Sequence, residues 1–473
     1  MTDGERSIRA WEGVMRSKIV GSIVQHPARA SFVWYASTIA AGALLLTLPI
    51  CQAPAKRPIS LMDATFTATS ATCVTGLAVR STGNDFSAFG QVVILALIQL
   101  GGIGIMTVTT YLTFWLGGRQ NLRQRVVLAE TLGAGSEPDL RWVLTKVFQY
   151  TLLLEGAGFM LLTARFLFDH SPAAALWHAM FHSISAFCNA GFSLNDDSLT
   201  LYQGDPLVNA TIAALIICGG IGFPVLLDVS RHRGLAWGDM WERLTLHSKL
   251  MLLGSAALTL LGAVAFFALE WDGVLAEFSF PRRCIIATFQ SVTCRTAGFN
   301  TIEIGSLTNA TLFVMVLLMM VGAGPCSTGG GFKVSTLLVL ALQSWATFQG
   351  RERVVAARRT IPRELINRAI TTALLFAVVA IVALTGLLIL EQSETPHAQS
   401  QGLFMDAMFE VVSALGTVGL STGTTPYLTN IGRAVIILLM FIGRLGPITV
   451  FAALSHGERA EPFQYAEEEP LIG

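Results

Sequence analysis

Long apolar stretches dominate the chain, separated by gaps of two alternating kinds. Eight of them, at about 31–50, 91–116, 147–168, 207–227, 250–269, 310–342, 369–390 and 431–453, hold roughly 20 or more residues each, enough to cross a bilayer as helices. Between the members of each successive pair lies a shorter stretch of low charge: 63–77, 177–192, 283–300 and 403–420. Each offers roughly ten residues of helix, about half of what a span requires. The pattern predicts helix, re-entrant loop, helix, four times over. That is an all-α integral membrane protein with eight transmembrane helices around one central pore. The units run 31–116, 117–230 (with a polar loop at its start), 231–342 and 343–455, flanked by 1–30 and a tail at 456–473.

The four short stretches share a plan: a phenylalanine, a run of small residues, then a glycine. Phe66 and Gly76, Phe181 and Gly191, and Phe409 and Gly419 are each ten residues apart, whereas Phe289 and Gly298 are nine apart. A helix that enters a membrane and turns back must satisfy its last backbone groups inside protein or in a water-filled cavity. Thr, Val, Ala and Asn before a glycine offer carbonyl oxygens and one residue free to take unusual φ/ψ. Four such turns around one axis have the design of a potassium selectivity filter, where backbone carbonyls replace the ion's water. The plainer reading is four tight turns that need glycine for backbone reasons alone.

Composition excludes a soluble domain: 53% of the 473 residues are hydrophobic, 13% are charged, and the mean hydropathy is +0.60. The net charge is zero, so its distribution carries the information. With the amino terminus inside, 22 of the 31 Lys and Arg fall in inner segments and eight in outer ones, which puts both termini in the cytoplasm. Outer loops bear acids, among them Asp196, Asp197, Glu277 and Glu303, which would concentrate cations at the mouth. Seven cysteines without a CxxC pair give neither a disulfide framework nor a zinc site. No Walker A spacing is present, although 329–335 (GGGFKVS) faintly resembles one.

Two features interrupt the apolar spans. The segment 322–333, GAGPCSTGGGFK, holds five glycines and a proline and cannot be a regular helix interior. Arg444 sits within the last span, where a charge must face the protein interior. The plainer reading is a buried ion pair with Glu155 or Glu410. For those two carboxylates and Asp63 the favoured role is holding the short helices. Glycine clusters at 101–104 and 219–222 are read as close helix packing, and His178 and His182, four apart, as helix-surface histidines.

The loops TCVTGL, FCNAGF, TCRTAGFN and GTVGLSTG resemble the four filter loops of the Trk/Ktr/HKT potassium-transport superfamily, over about 31–455, and within it the Ktr membrane subunits. The resemblance implies potassium uptake across a bacterial inner (plasma) membrane by a transporter, not an enzyme. The filter would comprise Val74, Thr75 and Gly76; Asn189, Ala190 and Gly191; Thr296, Ala297 and Gly298; and Thr417, Val418 and Gly419. The 322–333 loop would be the gate, with Gly324, Pro325, Ser327, Thr328, Gly329, Gly330, Gly331, Lys333 and Arg444. A serine at the first-loop glycine goes with sodium transport in some plant relatives; here Gly76 favours potassium. Implied partners are a second copy in a homodimer and a ring of cytosolic nucleotide-binding regulatory subunits. The basic segment 351–368 is most simply a positive-inside loop, and its second reading is a docking surface for a cytosolic partner or for anionic membrane lipid. Potassium is the transported ion, with no other metal, organic cofactor or nucleic acid expected. The alternatives are a potassium-binding subunit of an ATP-driven pump and a sodium/potassium-permeable member of the same superfamily.

Overall fold

The computed structural model describes residues 27–54, 58–118, 140–357, 359–392, 396, 399–400 and 402–446. The first 26 residues, 119–139 of the second unit's polar loop, 447–453 of the last expected span and the tail 456–473 lie outside the described residues. The chain folds as helices α1 (Pro27–Leu46), α2 (Leu61–Thr72), α3 (Ala88–Gly118), α4 (Leu140–Phe166), α5 (Pro172–Phe187), α6 (Pro206–Ile221), α7 (Phe223–His232), α8 (Trp237–Arg243), α9 (Leu246–Leu269), α10 (Phe280–Thr293), α11 (Asn309–Met320), α12 (Val334–Phe348), α13 (Arg363–Gln392), α14 (Leu403–Gly416) and α15 (Asn430–Leu445). A small antiparallel hairpin, β1 (Val355–Ala356) with β2 (Arg359–Thr360), precedes α13.

The four short stretches fold as expected, as α2, α5, α10 and α14, each of 12 to 16 residues. Their phenylalanines Phe66, Phe181, Phe289 and Phe409 are at most 2% exposed and pin the short helices in the core. The long helices do the opposite. Leu260, Leu261 and Val264 of α9 and Leu374, Ile381 and Val382 of α13 are 58–66% exposed. Apolar faces this open belong against lipid.

Eight uninterrupted spans were expected; three helices among the described residues are long and apolar enough to cross a membrane, at Thr145–Phe166, Leu246–Leu269 and Arg363–Glu391, or four if α6 and α7 count as one. Breaks account for two of the shortfalls. The expected span 310–342 divides into α11 and α12 around 321–333. The expected span 207–227 bends by 102° at Gly222, which has φ 100° and is followed by Pro224 within the first turn of α7. Proline has no N–H to donate back into the preceding helix and a positive φ ends it, so the chain turns sharply there. The 219–222 cluster is therefore a bend as well as a packing surface.

At the end of α9, just past the span, Glu270 ties two helices together. Its carboxylate accepts from Thr308 N (3.0 Å), Thr308 Oγ1 (2.9 Å), Thr311 Oγ1 (2.6 Å) and Val274 N (3.3 Å). Burial alone would raise this carboxyl, but the donated bonds outweigh it and hold it below the ordinary 4.5. A depressed carboxyl adds stability above its unfolded value and loses it as pH falls through the folded value. Thermal stability should therefore drop on acidification below about pH 4.5, and Glu270→Gln should flatten that acid limb while lowering stability at neutral pH. Melting curves of the two proteins across pH check this; equal acid limbs would assign the effect elsewhere.

Candidate functional site

Each short helix ends in the same backbone device. Val74, Asn189, Thr296 and Thr417 all have φ between 50° and 65°, and the glycine two residues on has φ 99°, 69°, 77° and 92° in turn. Asn tolerates the left-handed region, but Val and Thr are β-branched and do not enter it without cost, of order 1–3 kcal/mol each. Strain placed four times at equivalent positions marks a constrained site. Hydrogen bonds hold it: Thr75 N donates to Ser70 O, Ala190 N to Ser185 O and Val418 N to Ser413 O, each at 2.8 Å and five residues back. In the third loop Ala297 N donates to Thr293 O, four residues back, at 3.1 Å. That is the loop with the nine-residue spacing. The hydroxyls of Ser70 and Ser413 also accept from Gly76 N and Gly419 N, both at 3.1 Å.

The four turns meet in a closed ring. A Cβ on Gly76 would lie 2.5 Å from the Ala190 carbonyl oxygen, one on Gly191 2.8 Å from that of Ala297, and one on Gly298 2.6 Å from that of Val418. One on Gly419 would run into the Thr75 carbonyl, which completes the circle in chain order. Residues after the glycines line an open cavity of about 460 Å³ that includes Arg80, Asp85, Asp196, Ser193 and Asn300. Helix glycines behind the ring allow this approach: Gly101, Gly219 and Gly443 each sit against the last carbonyls of a short helix, those of Thr72, Phe187 and Leu415.

The 322–333 segment crosses the opposite end of the ring. Gly329 lies against Thr296 and Asn189, and Gly330 against Thr417. The Asn189 amide is best placed with its nitrogen donating to Ile216 O (3.1 Å) and Ala186 O (3.0 Å), which turns its oxygen toward the loop. The hydroxyls of Thr75, Thr296 and Thr417 are buried and make no hydrogen bond among the described residues. Buried oxygens of this kind suit a cation. The segment's own backbone is satisfied by the bend after α6: Gly324 N donates to Gly220 O (2.8 Å), Thr328 N to Gly219 O (3.1 Å) and Phe223 N to Cys326 O (3.0 Å). Sequence reading missed this cradle, although a Gly-Phe-Pro run closing an apolar span was its visible sign.

Two cations lie at this end. Lys333 Nζ donates to Gly329 O (2.8 Å) and Gly330 O (3.3 Å). Arg444, 3% exposed, donates from Nη1 to Thr328 O and from Nη2 to Gly101 O (2.5 Å). Neither Glu155 nor Glu410 pairs with it. Glu155 accepts from Gln99 Nε2 at 3.1 Å, and Glu410 from Ser421, Thr424 (3.3 Å) and Thr425 (2.8 Å). Asp63 takes Arg80 Nη2 and Arg433 Nη1, both at 2.8 Å, and so joins α2 to the segment after Gly76 and to α15. Arg295 points away from the ring into α9, donating to Ser255 O (3.1 Å) and Ser255 Oγ (2.9 Å).

One sequence reading is corrected. His182 is not on a helix surface; it is fully buried, because the adjoining Phe181 and Phe166 enclose the face of α5 that carries it. His182 occupies the position after the phenylalanine, as do Gln290 and Glu410, and all three clasp the segment beyond the glycine. His182 Nε2 pairs with Ser193 Oγ (3.0 Å), Gln290 Nε2 donates to Thr301 Oγ1 (3.1 Å), and Glu410 binds Ser421 and Thr425.

Comparison with known proteins gives consistent matches. The TrkH family, described as cation transport protein, matches residues 32–460. Over 97% of its length the chain is 36% identical to the whole of Ktr system potassium uptake protein B of Bacillus subtilis. It is 37% identical to the protein of the same name from Vibrio alginolyticus, covering 91% of each chain. The potassium/sodium uptake protein NtpJ of Enterococcus hirae is also 37% identical, over 91% of this chain and 94% of that one. In fold it is similar to the potassium transporter TrkH of Vibrio parahaemolyticus, with a TM-score of 0.69, 19% identity, and coverage of 90% of this chain and 83% of that one.

Proposed function

The chain belongs to the TrkH family of cation transport proteins, and from that premise we propose that its ring of four loops is the selectivity filter of a potassium uptake pathway. The protein is a multi-pass membrane protein that takes up potassium. The observation that carries the filter assignment is the closed ring itself: four left-handed turns whose carbonyls of Thr75, Ala190, Ala297 and Val418 each abut the next loop's glycine. Backbone oxygens held this way can replace a potassium ion's hydration shell. The filter residues are then Val74, Thr75 and Gly76, Asn189, Ala190 and Gly191, Thr296, Ala297 and Gly298, and Thr417, Val418 and Gly419. Four helix–loop–helix units, with eight membrane passes and both termini in the cytoplasm of a bacterial cell, fit this reading, with the 460 Å³ cavity as the outer mouth.

The segment across the ring's other end is the gate in this reading. Its glycines lie under Thr296, Thr417 and Asn189, and an ion leaving the ring meets them next. Removing 328–331 should raise potassium flux severalfold and loosen control by a regulatory partner. Zero flux from intact protein would make the loop a conducting element instead. The name of the Ktr relatives implies further components of a system; we assign this chain a homodimer beneath which a cytosolic nucleotide-binding ring docks, near the basic stretch before α13. A second reading, passage of both potassium and sodium, is favoured by the potassium/sodium uptake relative. Flux of each ion into liposomes holding the purified protein, without ATP, tests both: potassium alone supports the first, comparable fluxes the second, and neither ion moving would overturn the assignment.

A further inference from the structure

Three of the four loops are clasped from equivalent places. The residue after the phenylalanine bonds a hydroxyl eleven residues on, past the glycine of the turn: His182 with Ser193, Gln290 with Thr301 and Glu410 with Ser421. In the first loop the same two positions hold Thr67 and Ala78. Ala78 has no polar side-chain atom, and the Thr67 hydroxyl is buried without a hydrogen-bond partner among the described residues. The segment beyond Gly76 must be held by something else.

An ion pair stands one turn away. Asp63 precedes Thr67 by four residues, so both lie on one face of α2. Its Oδ2 accepts from Arg80 Nε at 2.9 Å and Arg80 Nη2 at 2.8 Å, and Arg80 lies four residues past Gly76. Two charged bonds thus grip the segment that the other loops hold through a hydroxyl. The second oxygen, Oδ1, accepts from Arg433 Nη1 at 2.8 Å, although the two residues are 370 apart in sequence. Arg433 Nη2 donates to Pro426 O at 2.7 Å, seven residues past Gly419. One carboxylate therefore fastens the segment beyond Gly76 and, through Arg433, the segment beyond Gly419. Those are the two loops that close the ring, where Gly419 abuts the Thr75 carbonyl. The Asp63 side chain is 5% exposed, and Ser60 Oγ caps α2 by accepting from Asp63 N at 3.1 Å. Sheltered and fixed in place, this is not the loose surface pair that contributes little.

We propose that Asp63 and Arg80 are positioning residues for ion selection: they form the first loop's clasp, moved one helical turn toward the start of α2, and with Arg433 they fix the seam where the ring closes. The proposal rests on the filter reading. Both side chains act through the Thr75 carbonyl and not by contact with the ion. A ring that replaces a hydration shell selects by where its oxygens stand, and a shift of about 0.5 Å is enough to spoil such a geometry.

The test is the potassium-to-sodium flux ratio in liposomes, with melting temperature measured on the same preparations. Arg80→Gln should lower the ratio about threefold. Arg80→Lys keeps the charge but loses the double grip, and should fall between Arg80→Gln and wild type. Arg80 lines the mouth cavity, but its charge acts alike on two monovalent ions, so the ratio reports the ring and not the mouth. Arg165 is the control, because it bridges Asp169 and Asp205 and its side chain is 28% exposed against 25% for Arg80. Arg165→Gln should lower the melting temperature and leave the ratio unchanged. An unchanged ratio in conducting Arg80→Gln, or an equal fall in Arg165→Gln, overturns the proposal. Should Arg80→Gln not fold, Arg80→Lys must itself show a lowered ratio, and a wild-type ratio there overturns it. A wild-type protein that moves neither ion would instead overturn the filter reading.

Discussion

Replacing Gly76 by serine should lower the potassium-to-sodium flux ratio by about tenfold or more, a change of about 1.4 kcal/mol in the relative barriers of the two ions. Two independent features make the position unforgiving. Its φ is 99°, where a side chain is strained, and a Cβ would lie 2.5 Å from the Ala190 carbonyl oxygen. That oxygen is backbone and has no flexible side chain to yield, so the second loop must shift or rotate its carbonyl away. In the proposed filter a displaced ligand penalises the ion whose shell the ring replaces, and a serine hydroxyl gives sodium a closer oxygen. Gly76→Ala separates the two effects, since it adds the Cβ without the hydroxyl. Flux ratios measured on folded, monodisperse variants decide it. An unchanged ratio in Gly76→Ser would remove Gly76 from the filter.

Arg444→Gln should raise potassium flux about tenfold with little loss of thermal stability. The guanidinium tethers the 322–333 segment, the proposed gate, through Thr328 O and reaches across to Gly101 O, and both acceptors are neutral carbonyls. Hydrogen bonds from a charged donor contribute roughly 1.5–3 kcal/mol each, enough for a tenfold change if one is lost on opening. A fixed positive charge in a low-dielectric passage also repels a cation. Gln removes the charge, and Gly101 O keeps the Tyr35 hydroxyl as a donor at 3.3 Å. Arg444→Lys keeps the charge without the fork and should fall between wild type and Gln. The carboxylates Glu155 and Glu410 are engaged with other donors, so neutralising either should not rescue or mimic the change. Flux and melting temperature on the same preparations test this; a large stability loss with no gain in flux would defeat the barrier role.

Much of this site was legible because backbone demands leave marks in composition. Glycine at the end of each short stretch announced the turns, and the nine-residue spacing in the third announced its altered bond, Ala297 to Thr293. The glycine- and proline-rich 322–333 segment could not be helix, and it is not. What stayed hidden depends on where side chains point. The left-handed conformation of Val74, Thr296 and Thr417 contradicts the preference of β-branched residues, so no local rule would place it there. His182 reads as an ordinary i, i+4 partner of His178 until Phe166, from a different helix, closes over both. The bend at Gly222 was disguised by an apolar run long enough to pass for one straight helix.

Because all four quarters of the ring lie on a single polypeptide, they need not be copies of one another, and they are not. At equivalent points the chain places Val74, Asn189, Thr296 and Thr417, and behind them an amide, an imidazole and a carboxylate serve as clasps. In a ring of identical subunits any coding change is multiplied around the axis. Here one codon alters one quadrant, so ion preference can drift in small increments through viable intermediates. If the ring is the proposed filter, each quadrant is also free to acquire a separate duty, provided that the other three continue to hold the ion.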